Sequence, residues 1–238
     1  MSMMYWNSAN FQGLREVGET YLRKPNYEAF ANYCFLKEKG IKKAALGAMN
    51  EFISAAQEKP LKSQREIAVE LASLGFENPH IHQLIPHPLQ QYLITILKAW
   101  STEENASAIP ARWLGCMSGD LAEFERALEI DPTDAISLTM LVKAKLNTVD
   151  YQTHHLAEAQ FIGEVEEGKV CLEEAALLIA RLPSEAGKTN LLEELHTYRK
   201  LIAAWEEYTL ACPDKSFPDW CKEKGENFAF WSIIYYDK

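Results

Sequence analysis

Helical periodicity runs through almost all of the 238-residue chain and is the feature that most constrains its fold. Apolar side chains recur every three or four residues, the spacing that places them on one face of an α-helix. One such stripe consists of Leu191, Leu195, Tyr198, Ile202 and Trp205. Short connectors that contain glycine or proline separate the periodic segments, so consecutive helices are expected to be antiparallel neighbours. The sequence therefore predicts an all-α protein built from stacked antiparallel helical hairpins.

Local signals indicate where individual helices begin and end. Ser63–Glu66 and Ser101–Glu104 have the spacing of a capping box, which predicts a helix start at each segment. Asp120 and Glu123 have the same spacing and predict a third helix start. Later helices are predicted over 134–147, over a segment that Gly168 ends, over 170–182 and over 188–210.

The proline-rich segment 76–88 interrupts this pattern. It contains prolines at 79, 86 and 88, and proline inside a helix removes a backbone hydrogen bond and clashes with the preceding turn. We therefore expect an ordered loop or a domain seam that divides 1–75 from 89–238. Apart from this seam, the whole chain 1–238 is interpreted as a single helical-repeat-like domain, since 238 residues can bury a sizeable core.

The C-terminal segment 227–236 differs from the rest because it is rich in aromatic and β-branched residues. This composition favours an extended, strand-like tail, although a terminal helix is the alternative. Such residues are costly to leave in water, so we expect the tail to be packed against the protein. An exposed edge that recruits another chain is the second interpretation.

Negative charge argues against several classes of partner. The formal net charge is −10, which disfavours nucleic acid and anionic membranes because both attract Lys and Arg. No apolar run approaches the 18 residues of a membrane span. The charge is distributed unevenly: residues 1–60 carry +2, 61–150 carry −5 and 151–238 carry −7. The acidic later part favours a basic protein or peptide as the partner.

The five cysteines are widely spaced and include no C-x-x-C pair, which leaves zinc ribbons and thioredoxin-like redox pairs unsupported. The segment Met1–Asn7 lacks the basic and apolar stretches that are typical of a secretion signal. We therefore expect a cytoplasmic protein.

The segment 119–132 resembles the second helix of a tetratricopeptide repeat. That family places an aromatic residue and an alanine near the end of this helix, and a proline five residues after the alanine. Phe124, Ala127 and Pro132 match this spacing. The resemblance covers one incomplete repeat near 113–147, and any other repeats are degenerate. It implies an α-α superhelix that binds a partner polypeptide along its concave side.

Two sets of polar side chains are the candidate partner-binding residues. If the resemblance holds, the helix over 134–147 presents Thr139, Lys143 and Asn147 to the concave side, where they could hold a peptide backbone or carboxylate. The second set is an acidic cluster that could capture a basic partner: Glu164, Glu166 and Glu167. An ordinary solvated helix face is the alternative for both sets.

Catalytic and metal-binding patterns are weak. His80, His82 and His87 could bind zinc or nickel, and Glu193-x-x-His196 has one element of a di-iron carboxylate site. Neither pattern has the remaining ligands at a defined spacing, so we expect no cofactor, no metal and no enzymatic activity. The leading hypothesis is a non-enzymatic scaffold that holds a partner polypeptide, in one version an inhibitor or immunity-type protein. The alternatives are a metal-binding protein or enzyme that uses these residues, and a structural subunit that docks through its tail.

Overall fold

The computed structural model describes residues 13–103 and 107–230, with only the backbone described at Ala186. Regular structure in these ranges consists of eleven α-helices and a short 3₁₀ helix, Leu156–Glu158. The α-helices are α1 (Leu14–Leu22), α2 (Glu28–Glu38), α3 (Lys42–Gln57), α4 (Leu61–Glu77), α5 (His87–Ser101), α6 (Ala108–Ser118), α7 (Leu121–Ile130), α8 (Ala135–Thr153), α9 (Val165–Arg181), α10 (Glu185–Ala211) and α11 (Phe217–Glu223). The all-α prediction is confirmed for the described residues.

The chain divides into two compact units, residues 1–130 and residues 131–238. The boundary falls at the turn that begins with Asp131. The proline-rich segment 76–88 lies inside the first unit. Of the helices in the described ranges, none is both long enough and apolar enough to cross a membrane.

In the first unit α1 packs against α2 and α2 against α3. In the same way α4 packs against α5, α5 against α6 and α6 against α7. Contacts also join α3 to α5 and α4 to α6. An aromatic cluster fills the space between α1, α2 and α3, with Tyr27 at its centre. The hydroxyl of Tyr27 donates to Glu70 of α4 at 2.8 Å, and Lys24 forms an ion pair with the same carboxylate.

The connector from 78 to 86 is an ordered loop on the surface of α2. Ile81 and Leu84 are buried, and the hydroxyl of Tyr33 donates to the backbone carbonyl of Gln83 at 2.5 Å. α4, the helix before the connector, continues through Gly75 to Glu77, and Gly75 packs against Ile85.

The hairpin of α6 and α7 depends on small residues at the contact. The ring of Phe124 lies directly over Gly115, where a side chain would collide with it. Ala127 is fully buried in a cluster with Ala108 and Ala111, so this small residue allows α6, the preceding helix, to approach. The segment 113–147, in which the sequence predicts one incomplete repeat, begins in α6 and ends in α8, so it includes the boundary between the two units.

In the second unit, α8, α9 and α10 pack against one another in all three pairs. An aromatic cluster joins the end of α10 to α11, with Phe217 fully buried at its centre. Rings of Trp205 and Tyr208 each meet Phe217 edge-on at a centroid distance of 5.2 Å.

The predicted helix end at Gly168 is wrong. α9 runs through this position without a break, and α8 continues past residue 147 to Thr153. A Cβ atom at Gly168 would lie 2.8 Å from Oε1 of Gln152 and 3.1 Å from Cδ1 of Ile202. The glycine is therefore present because α8 and α10 approach α9 closely there, and it does not end the helix.

Of the predicted helix starts, the capping box at Ser63–Glu66 is also wrong. α4 begins earlier, at Leu61, immediately after Pro60, whose fixed φ suits a position next to a helix start. Ser101 lies in the last turn of α5, and Glu104 lies outside the described residues. The predicted start at Asp120 is confirmed, since its carboxylate accepts a hydrogen bond from the backbone N–H of Ala122 at 3.1 Å.

Residues 227–230 of the C-terminal segment form neither helix nor strand, and the remainder of the predicted strand-like tail lies outside the described residues. Phe228 and Phe230 are partly buried against the aromatic cluster of the second unit. The described part of the segment is therefore packed against its own chain.

Candidate functional site

The second unit contains a groove of about 580 Å³ between α8, α10 and residues 228–230, which we call the acidic groove. Its lining residues come from two helix faces and from the C-terminal segment. They are Asp150, Thr153, His154, Glu194, Thr197, Tyr198, Leu201, Phe228, Ala229 and Phe230.

Each helix contributes side chains that are three or four residues apart, the spacing of one helix face. The hydroxyl of Tyr198 donates to Oδ1 of Asp150 at 2.9 Å, so this bond joins α10 to α8 across the groove. Burial, the hydrogen bond to Asp150 and the negative charge of Asp150 all raise the pKa of Tyr198, which keeps its hydroxyl a donor. This bond holds Asp150 in place, and its other carboxylate oxygen forms no hydrogen bond with another described side chain.

Two phenylalanine rings form the aromatic wall of the groove. Phe228 and Phe230 are 6.2 Å apart between centroids, and Phe230 meets the buried ring of Phe217 edge-on at 5.6 Å. The wall is therefore anchored to the aromatic cluster of this unit. A cationic side chain could lay its hydrocarbon stem along these rings and place its charged end near Asp150 and Glu194.

The acidic groove is lined by the acidic side chains of Asp150 and Glu194 and, among its described lining residues, by no basic Lys or Arg side chain. The surrounding unit has the same sign, because residues 131–238 contain 19 Asp and Glu against 11 Lys and Arg, a formal charge of −8. Most of the charge of −10 on the whole chain therefore belongs to this unit.

Thr139, Lys143 and Asn147 share one face of α8, as their spacing predicts. Lys143 and Asn147 are exposed, whereas the Thr139 hydroxyl donates to the backbone carbonyl of Ala135 at 2.7 Å. Thr139 is therefore satisfied within its own helix. No side chain of this set lines the acidic groove.

Glu164, Glu166 and Glu167 lie at the start of α9, where negative charge is favourable because the first backbone N–H groups of a helix are unpaired. All three are exposed. Lys169 forms ion pairs with Glu166 at 2.9 Å and with Glu206 of α10 at 2.5 Å, so part of this charge is compensated locally. The backbone N–H of Ile162 donates to the carbonyl of Gln152, which places this cluster near the end of α8, roughly 20 Å along the helix from Thr139.

The candidate metal ligands do not converge. His80, His82 and His87 are exposed on the connector and the first residue of α5, and Glu193 and His196 are exposed on α10. Within residues 13–103 and 107–230, no group of three or more His, Cys, Asp or Glu side chains is placed to hold a metal ion.

Comparisons of the chain with protein-family models, curated proteins and solved structures gave no match.

Sequence reasoning did not identify the acidic groove, although part of its signal is visible. Asp150 and His154 are four residues apart, and so are Glu194 and Tyr198, so each pair shares a helix face. What the periodicity of each helix could not reveal is that these two faces lie beside each other. That depends on the packing of α8 against α10, two helices that are separated along the chain by α9.

Proposed function

We propose that this chain is a non-enzymatic protein-binding module of the cytoplasm whose second unit captures a basic partner. The single observation that carries the proposal is the acidic groove, which combines two carboxylates with a wall of aromatic rings and has no Lys or Arg among its described lining residues. This combination suits a Lys or Arg side chain, because the carboxylates pair with the cation while the rings contact its stem.

The exposed glutamates at the start of α9 extend the negative field around the groove. Charge of one sign over a whole unit attracts an oppositely charged partner and raises its rate of encounter. A concrete form of the function is an inhibitor or immunity-type protein that neutralises a basic toxin or nuclease. The five cysteines are free thiols, as is usual in a reducing compartment, which supports the cytoplasmic assignment.

The hairpin arrangement of the first unit supports a tetratricopeptide-like stack as the scaffold. There α3 packs against α5 and α4 packs against α6, in addition to the contacts between consecutive helices. Contacts of this kind, between every second helix, are what stacked hairpins make.

The test compares two double variants, each of which removes two negative charges. One variant alters residues that line the groove, and the other alters residues of α10 outside it. Asp150→Asn with Glu194→Gln neutralises the groove. Glu193→Gln with Glu207→Gln neutralises two exposed glutamates of α10 that do not line it. The probe is a fluorescent peptide rich in Lys and Arg, and fluorescence anisotropy measures its affinity at low and high salt.

We expect the groove variant to bind the probe about tenfold more weakly, since each partly exposed charge pair contributes up to about 1 kcal/mol. The matched control should change affinity by less than about threefold, and added salt should weaken binding to the wild type. Equal losses in both double variants, or binding that is insensitive to salt, would show that the groove is not the binding site. Stoichiometric metal in the purified protein would favour the metal-binding alternative.

A further inference from the structure

A second groove, in the first unit, has a different chemical character. It measures about 540 Å³, lies between α3, the start of α4 and α5, and contains no charged side chain among its described lining residues. Four of its side chains are primary amides, and three of these are exposed: Asn50 and Gln57 on α3 and Gln91 on α5. We call it the amide groove.

The three amides are exposed, and none of them forms a side-chain hydrogen bond with another described residue. Gln64, a fourth amide in the groove, contrasts with them. Its Nε2 donates to the backbone carbonyls of Gln57 and Lys59, at 3.1 and 2.8 Å, and joins the end of α3 to the start of α4. The other three amides are thus available to a ligand.

A primary amide has two donors and one acceptor, which is the combination that pairs with both the N–H and the C=O of a peptide bond. Asn50 and Gln57 are seven residues apart on α3, a separation of about 10 Å along the helix axis. An extended chain advances about 3.3 Å per residue, so these two amides match backbone groups three residues apart.

Apolar side chains lie among the amides. Ile53 is placed between Asn50 and Gln57 on α3, and Pro88 and Ile96 line the groove from α5. They provide aliphatic contacts for alternate side chains of an extended peptide. Tyr92 also lines the groove but is only 6% exposed, so it offers little ring surface for stacking a sugar. The absence of charge among the described lining residues disfavours phosphate or carboxylate ligands.

We propose that the amide groove binds an extended, uncharged polypeptide segment of about four residues through its backbone. This site lies in a different unit from the acidic groove and uses different chemistry. The test of this proposal is therefore independent of the test of the acidic groove.

The experiment selects ligands from an unbiased displayed-peptide library on the full chain. The same library is selected in parallel on the double variant Asn50→Leu with Gln91→Met, in which side chains of similar size replace the amides. Enriched peptides are then synthesised, and isothermal titration calorimetry measures their affinity. A version with N-methylated backbone tests whether the peptide N–H groups are used. Asn190→Leu, an exposed amide on α10 in the other unit, is the control for the added apolar surface.

We expect peptides without charged residues, with affinity at least about tenfold weaker for the double variant, because each removed amide loses one or two hydrogen bonds. N-methylation should weaken binding to a similar extent. Asn190→Leu and the variant Asp150→Asn with Glu194→Gln should retain the affinity, and salt should change it by less than about twofold.

Four results would overturn the proposal. The first is that no peptide is enriched on the wild type over the double variant. The second is that the enriched peptides are basic and lose affinity in salt, which would assign them to the acidic groove. The third is that N-methylation has no effect. The fourth is that glycans on an array, and no peptides, bind to the wild type and lose binding in the double variant. The occupant of the groove would then be a sugar.

Discussion

Replacing Gly115 by alanine tests how closely α6 and α7 approach each other. A Cβ atom at this position would lie 2.7 Å from Cε1 of Phe124 and 2.8 Å from its Cδ1 and Cζ atoms. Phe124 is 1% exposed, so its ring is enclosed by the protein. The alanine therefore forces either the ring or the helix pair to shift.

Two opposing effects set the magnitude. Overpacking a well-filled core costs about 1–3 kcal/mol, whereas alanine is favoured over glycine in a helix by about 1 kcal/mol. Gly47 provides the matched control, because it is also inside a helix and a Cβ atom there would have no neighbour within 4 Å. Gly47→Ala should gain about 0.5–1 kcal/mol, and Gly115→Ala should be less stable than Gly47→Ala by about 1–3 kcal/mol.

Native-state hydrogen exchange measures this difference locally, with mass spectrometry of peptides from α6 and α7. A difference of about 1–3 kcal/mol corresponds to roughly 5- to 150-fold faster exchange through opening of the hairpin. Urea unfolding of both variants gives the accompanying change in stability. If Gly115→Ala were as well protected in α6 and α7 as Gly47→Ala, the close approach of these helices would be refuted.

Two further predictions concern ionisable groups. Burial raises the pKa of Glu70, but hydrogen bonds from Lys24, Tyr27 and Tyr21 outweigh it and leave the pKa below its ordinary value of 4.5. The stability that ionised Glu70 contributes is therefore complete above about pH 4.5 and is lost as the pH falls through the lowered pKa. The urea midpoint of the wild type should therefore fall more steeply with decreasing pH than that of Glu70→Gln. Parallel plots of urea midpoint against pH for the two proteins would contradict this. Burial raises the pKa of Cys34 to about 12, whereas Cys212 is exposed. A thiol reagent at neutral pH should modify Cys212 in the folded protein and Cys34 only after denaturation, and mass spectrometry identifies the modified residues. Equal rates of modification of the two thiols in the folded protein would contradict this prediction.

The fold class could be predicted because each amphipathic helix carries its own signal in the spacing of its apolar residues. The helix end predicted at Gly168 is wrong for a physical reason: glycine can end a helix or can allow two helices to touch, and local sequence does not distinguish the two roles. The same limit applies to the acidic groove. The helix face that carries Asp150 or Glu194 can be predicted from the sequence, but tertiary packing decides that the two residues line the same groove.

The prolines of the connector before α5 bear on how fast a peptide would bind to the proposed amide groove. Proline restricts the unfolded chain, so ordering this connector loses less conformational entropy than ordering a flexible one. Pro88 is both part of this proline-rich stretch and a wall of the amide groove, and the Tyr33 hydroxyl holds the adjoining loop in position. A peptide that binds to the amide groove would therefore contact a preorganised surface. We expect association to be limited by diffusion and orientation, so that differences among ligands appear mainly in how long each one stays bound.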